Sequence, residues 1–442
     1  MPGPVLLCAA ATRLGAATIA AALDLGLLPT APRRILLTSE PPGPAIAARF
    51  TDVLDWDAEF APLRPLGWAP RPQDLPVLER WLTEHWSLPG AAPAGPACSG
   101  PESAGSAPGG PLHPGAADTG PALAGSGLAG GVHLVVDTPA ALPTLGAILA
   151  GARITVCAAG LDAYGPTEVR PPDGVGSRIV RLLHLDLVPG LSPLLLREYG
   201  LASTPVPAAP LRELLGPPGT PAEGALLLPE DLAARGVLPA AAEQVVLAGA
   251  VRAVAARGIG LLRCAGEAVP GAVLREARRL RLTVETVADP WSVRPVLAVG
   301  HSSATLTALA RVGGVTVAAA GARRLVPTSE RVPATLTHLT VPLLTRGGRL
   351  IPPPGRGART GPALQPLLDA LAYTLRPGQL PDLRPAAVAH LTGADAAHGY
   401  FPASGLAALG LPAPATAQRL RRVLHLGAHP RHVRPVGDQP GP

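Results

Sequence analysis

Two kinds of apolar pattern alternate along this chain. Short continuous runs at residues 5–9, 34–38, 53–56, 132–136 and 154–157 have the length and the Val, Ile and Leu content of buried strands. Residues 16–25, 45–50 and 140–149 between them read as helices. Gly26 is placed as the residue just past a helix end, with Pro29 as a stop. In residues 73–86, Leu75, Leu78, Trp81, Leu82, His85 and Trp86 recur mostly three or four apart, which predicts an amphipathic helix with its tryptophans turned inward. A second series follows, with strands at 225–228, 260–263, 282–285, 296–299 and 315–318 and helices at 240–257, 269–280 and 302–310. Strand–helix alternation of this kind predicts an α/β fold built on mostly parallel sheets.

The breaks between these series set the expected domains. Residues 1–204 form a first Rossmann-like domain, interrupted by residues 89–130, which are almost entirely Gly, Ala, Pro and Ser. Such a segment buries too little to offset its chain entropy and is expected to be disordered. A proline-rich link at 205–221 leads to a second Rossmann-like domain at 222–345. A helical extension follows at 346–418, then a basic tail at 419–442, also expected to be disordered. Two Rossmann-like domains with a C-terminal helical extension is the arrangement of a GT-B glycosyltransferase. Periplasmic-binding-like and epimerase-like proteins give a similar string, so the element order leaves function open.

Composition narrows the picture modestly. At 442 residues the chain is too long for one ordinary core, which agrees with two domains. All 37 basic residues are arginine, and the formal net charge is +6. That permits an anionic ligand without selecting one. The densest arginine cluster lies in the tail with His425, His429 and His432, and no aromatic residues interleave it, so a nucleic-acid partner is not expected. Cys8, Cys98, Cys157 and Cys264 are widely spaced with no CxxC pair, which argues against a structural disulfide or metal site and for a reducing compartment. Cys8 and Cys157 fall in expected strands and read as small hydrophobes. No signal peptide and no membrane span are expected, so the location is read as cytoplasmic, with room for peripheral membrane association.

The most distinctive stretch is 154–200. A short apolar strand empties into a loop rich in Gly and Pro that gathers Asp162, Tyr164, Glu168, Arg170 and Asp173 in an otherwise bland chain. Ligands of parallel sheets are met in loops at the carboxyl ends of strands. The loop after the first strand lacks GxGxxG, so no dinucleotide fingerprint is present.

Several segments resemble the bacterial alpha-2,8-polysialyltransferase family. They are LGAATIAAALDLG (14–26), FAPLRPLGWAPRPQDLPVLERWL (60–82), and YGPT followed by VGSRIVRLLHLDLVPGLSPLLLREYG (within 164–200). AVGHSSATLTAL (298–309), SERVPATLTHL (329–339) and YFPASGLAALGLP (400–412) continue the likeness. The resemblance implies a GT-B-type, CMP-sialic-acid-dependent enzyme that works on a nucleotide sugar and a glycan acceptor without a further cofactor. It also implies three active-site motifs: an acidic pair before a glycine that supplies a base, a His-Pro pair that helps hold CMP, and a serine pair at a helix start that meets the phosphate.

Only the serine motif is present, as His301, Ser302 and Ser303 after Gly300. Hydroxyls and free N–H groups at a helix start suit an anion, although a serine there is also an ordinary N-cap. The acidic pair is replaced by Ala158 and Ala159, with Gly160 kept. The His-Pro position, after a strand expected to end near Leu262, holds Arg263, Cys264 and Ala265. Asp162, in the same loop, is the candidate substitute base. His301, otherwise a helix-start residue facing solvent, and Arg263 are the candidates for nucleotide binding. Gly160, Tyr164 and Thr167 are expected to shape the loop. Two readings follow: a sialyltransferase-like enzyme, or a catalytically impaired paralogue that keeps the fold and binds a nucleotide or partner. A small-molecule binding protein on the same scaffold is a weaker third.

Overall fold

The computed structural model describes residues 4–61, 71, 73–89, 131–216, 221–353, 361–393 and 398–412. All but the first residue of the expected insertion, and the whole basic tail, lie outside the described residues. So does Cys98. The chain divides into two units, Met1–Gln365 and Pro366–Pro442.

The first sheet comprises β1 (Val5–Ala10), β2 (Arg33–Thr38), β3 (Asp52–Asp55), β4 (Val132–Val136), β5 (Arg153–Ala158), β6 (Ile179–Leu185) and β7 (Ser203–Val206). Their order is β3-β2-β1-β4-β5-β6-β7, with every pairing parallel. Strand β1 is buried along its whole length, as expected of a central parallel strand covered on both faces. The edge strand β7 falls partly in the stretch expected to be a link. Pro205 is tolerated there because an edge strand needs fewer ladder donors.

Helix α1 (Arg13–Asp24) follows β1 and buries Leu14 to Ala22 continuously, because its alanines and Gly15 let it lie close against its neighbours. Gly26, at φ 65°, closes it: the Leu27 N–H reaches back to the Ala22 carbonyl. The helix at Leu75–His85 buries Leu82, and Trp86 just beyond it is buried too. The Trp86 indole donates to Glu59 Oε2 at 2.7 Å. Trp86 is thus core with a satisfied polar tip, and Trp81 packs partly buried against the same core. The expected helix at 140–149 is a run of tight and wide turns, Pro139–Ala141 and Leu142–Gly146, where Pro143 removes a backbone donor.

The second sheet comprises β8 (Pro221–Leu227), β9 (Leu261–Ala265), β10 (Thr283–Val287), β11 (Arg294–Gly300), β12 (Val317–Ala319), β13 (Leu343–Leu344) and β14 (Leu350–Ile351). The order is β10-β9-β8-β11-β12-β13-β14, parallel except for the closing β13–β14 pair. Its core packs Leu247, Val251 and Val254 of the helix Ala240–Ala256 and Val273 of Gly271–Leu280 with Leu227, Leu262 and Val299. Both sheets therefore share the Rossmann-like order, as the alternation of strands and helices leads one to expect.

Segments that leave the carboxyl ends of the two sheets meet one another. Arg13, after β1, pairs with Asp289, after β10. Arg311 Nε donates to the Leu187 carbonyl, after β6, at 3.1 Å. Gly165, after β5, lies against Val332 of the helix Arg331–Thr340. Two Rossmann-like sheets with segments from their carboxyl edges turned to a common cleft make the GT-B-type arrangement. The second unit is helical, with Arg384–Thr392 and Ala403–Ala408 among its elements.

Candidate active site

In each sheet the strand order reverses beside its first strand, which opens a crevice at the carboxyl ends, between β1 and β4 and between β8 and β11. A carboxylate laces each crevice. In the first, Asp137 leaves β4 and accepts from the Ala11 N–H at 2.9 Å. The Thr12 N–H joins it, and the next N–H, that of Arg13, donates to Glu40 Oε2 at 2.7 Å. Thr12 caps α1 by accepting from the Gly15 N–H. Burial pushes the Asp137 carboxyl up to about 7; the backbone N–H groups oppose the rise and the charge of Asp162 adds to it. Sequence reasoning passed over Asp137, although an acid directly after a central strand at the reversal point was a usable signal.

Asp162 belongs to the turn Leu161–Tyr164 after β5. Its carboxylate folds back over Gly160, so close that a Cβ on the glycine would stand 1.9 Å from Oδ1. The side chain keeps exposed surface, yet protein crowds it enough that desolvation leads in raising its carboxyl above the ordinary range. Exposure and crowding together describe a cleft. The N–H groups of Asp162 and Ala163, and the charge of Arg235 from the second sheet's side, hold part of that rise back.

Tyr164 and Thr167 do not face the cleft as open polar groups. Tyr164 is fully buried; its hydroxyl donates to the Leu185 carbonyl at 3.2 Å and accepts from the Val188 N–H at 3.3 Å. Thr167 Oγ1 donates to Glu198 Oε2 at 3.0 Å and accepts from the Leu196 N–H at 2.8 Å. Both fasten the loop to the segment beyond β6. Their expected part in shaping the loop is thus carried by hydrogen bonds whose partners only the tertiary structure supplies.

In the second crevice the donors are those of the serine motif. Glu230, in the loop after β8, accepts at Oε1 from the His301 N–H at 2.6 Å and the Ser302 N–H at 2.9 Å. Its Oε2 accepts from the Ser302 hydroxyl at 2.8 Å. Ser303 is the N-cap of the short helix Ala304–Ala308, its hydroxyl facing the Leu306 N–H at 3.4 Å. The helix expected over 302–310 thus begins two residues later and loosens into a wide turn at Leu309–Gly313. His301 does not face solvent: it is 1% exposed, with Nδ1 on the Ala320 carbonyl and Nε2 buried without a partner.

Arg263 lies inside β9, which runs to Ala265 rather than ending near Leu262. It pairs with Glu285 on β10 at 3.1 Å, the residue opposite it in register. Its charge is therefore committed within the sheet, and the loop that corresponds to the His-Pro position starts at Gly266.

The two crevices are joined by a charged cluster. Arg235 pairs with Glu330, whose carboxyl is raised by burial, lowered by Arg235, and raised further by Glu230, Glu168 and Asp162. Asp162 on one side and the Glu230–Ser302 contact on the other thus act on one shared residue. Such a cleft offers a carboxyl group raised above its ordinary range, a cation, and a set of N–H and hydroxyl donors suited to an anion. Among the described residues no group of three or more His, Cys, Asp or Glu could hold a metal ion. No helix there is long and apolar enough to cross a membrane.

No protein-family model and no curated protein matches the chain. Among solved structures, a protein from Listeria monocytogenes named for UDP-N-acetylglucosamine 2-epimerase is similar over 85% of this chain and 97% of its own, with 11% identity and a TM-score of 0.37. A glycosyltransferase from Rickettsia africae ESF-5 is similar over 72% of this chain and 79% of its own, with 8% identity and a TM-score of 0.35. Likeness at that level has no functional weight, and the sheet topology stands without it.

Proposed function

We propose that this protein is a GT-B-type glycosyltransferase of alpha-2,8-polysialyltransferase character, which transfers sialic acid or a related acidic sugar from a CMP donor to a glycan hydroxyl. Asp162 is the base. It takes the acceptor proton as the acceptor oxygen bonds to the anomeric carbon; the bond from that carbon to the donor phosphate breaks, and CMP leaves with the electron pair, inverting the centre. Ser302 and Ser303 meet the phosphate. No cofactor beyond the donor is required, and the reaction is placed in the cytoplasm with peripheral access to a membrane-borne acceptor.

The observation that carries this reading is the position of Asp162. The residue keeps exposed surface, its carboxyl is raised in pKa by crowding, and it faces the serine loop through the charges of Arg235 and Glu330. A general base must be within reach of its proton, and a carboxylate raised above its ordinary range holds a proton more strongly. His301 and Arg263 take lesser roles, since one is buried and the other is bound to Glu285.

A second reading is favoured by Glu230. The Ser302 donors are already filled by a carboxylate of the chain itself, as suits an impaired paralogue that keeps the fold and binds a nucleotide or partner. One assay separates the two: purified protein, CMP-sialic acid and an oligosialic acceptor, with CMP release followed. Release that Asp162→Ala abolishes supports the enzyme. No release alongside calorimetric CMP binding supports the paralogue.

A further inference from the structure

We infer that Glu230 is a built-in competitor for the donor phosphate, so that a phosphate-bearing ligand enters the second crevice only by displacing its carboxylate. The inference rests on the assignment of Ser302 to the phosphate made above. It adds the residue that sets how strongly, and for which ligands, that seat opens.

Three donors converge on the one carboxylate: the N–H groups of His301 and Ser302 and the Ser302 hydroxyl, at 2.6 to 3.0 Å. Two backbone donors and a hydroxyl are what a phosphate oxygen pair would ask for, and a carboxylate offers the same acceptor pattern with one charge. The approach is built in from both sides. Leu228, two residues before Glu230, donates its N–H to the Val299 carbonyl at 2.8 Å, which pins the loop to β11. On the facing strand end a Cβ at Gly300 would lie 3.3 Å from Glu230 Oε1, so the carboxylate rests directly on the glycine.

The surroundings say what displacement involves. Glu330 sits close enough to Glu230 for the two charges to act on each other, and Arg235 is its partner. Arg235 keeps half its side chain exposed, so it can turn from Glu330 to an entering phosphate. An anion with one charge and no further contacts gains nothing by replacing Glu230. A nucleotide, with more charge and a base and ribose to place elsewhere, does. Glu230 would thus select for nucleotides over free small anions.

Calorimetry of CMP with the full chain tests this, using the unaltered protein, Glu230→Ala, Glu230→Gln and Glu230→Ala/Ser302→Ala, with cytidine as the control lacking phosphate. Glu230→Ala is expected to bind CMP roughly ten- to a hundredfold tighter, the range of a few charge-assisted hydrogen bonds, with cytidine unchanged. The added Ser302→Ala should remove most of that gain. Equal, measurable CMP affinity in the unaltered protein and Glu230→Ala overturns the competitor and leaves the phosphate reading standing. A gain that survives Ser302→Ala also overturns it. CMP binding by none of the four overturns both. If Glu230→Ala does not fold by circular dichroism, Glu230→Gln, a near-isostere without the charge, decides by the same criteria with a smaller expected gain.

Discussion

The Asp162 carboxylate lies folded over Gly160, so close that a Cβ there would fall 1.9 Å from Oδ1. The backbone of Gly160, at φ −95°, is open to any residue, so the glycine is required by space and not by conformation. Gly160→Ala should therefore fold with near-normal stability while driving the Asp162 side chain away. If Asp162 is the base, CMP release falls by roughly 10² to 10⁴, as on losing a general base. Full activity in Gly160→Ala would remove Asp162 from the proposed role.

Gly15 stands in the same relation to Asp137. A Cβ would meet Oδ2 at 2.2 Å, in the first turn of a helix where alanine is normally preferred. Propensity alone gives Gly15→Ala a gain of roughly 0.5–1 kcal/mol. Losing the Asp137 bonds to Ala11 and Thr12 costs roughly 1–3 kcal/mol. The net expectation is destabilisation, read from the urea midpoint; a midpoint that rises would refute the lacing of this crevice.

Asp137 also gives a pH signature. In the unfolded chain it titrates near 3.8 and in the folded one near 7, so between those values the native state holds a proton the unfolded state has released. Its contribution to stability is full below about 4 and declines as pH rises to about 7. The buried His133 and His184, lowered to about 4 from 6.5, act oppositely, since there the unfolded state binds the extra protons. Comparison with Asp137→Asn isolates the aspartate. The unaltered protein should lose stability relative to the variant between pH 4.5 and 7.5 in urea melts. A pH-independent difference contradicts the shift.

Thr167 is assigned to structure. Thr167→Val removes the bonds to Glu198 and to the Leu196 N–H, where Leu196 is held at φ 57°. A loss of roughly 1–3 kcal/mol is expected, with faster amide exchange at Leu196. CMP affinity should be unaffected; a selective loss of affinity at normal stability would place Thr167 at the ligand rather than in the loop's framework.

Arg263→Ala separates the sheet from the site in the same way. Its pairing with Glu285 across β9 and β10 is partly exposed, so stability should change by at most about 1 kcal/mol. CMP binding, by calorimetry, should match the unaltered protein. A tenfold weakening would restore Arg263 to the nucleotide.

The sequence by itself determined the elements and their kind. Strands such as 132–136 and helices such as 240–256 are set by local periodicity, and strand–helix alternation with right-handed crossovers leaves few topologies. It also marked Asp162, as one of the polar residues gathered in the loop after a short strand, and, through the family resemblance, Gly160 and the serine pair. What only the tertiary structure decided is which polar groups remain free. Tyr164 and Thr167 are consumed by the segment beyond β6, His301 is buried, and Arg263 is matched to Glu285 by strand register. Asp137 reaches Ala11 across 126 residues and Glu230 reaches Ser302 across 72. Hydrogen-bond partners at such separations leave no trace in local pattern. They are fixed only when packing brings strand ends together, and burial then makes it costly to leave a donor or a carboxylate unmatched.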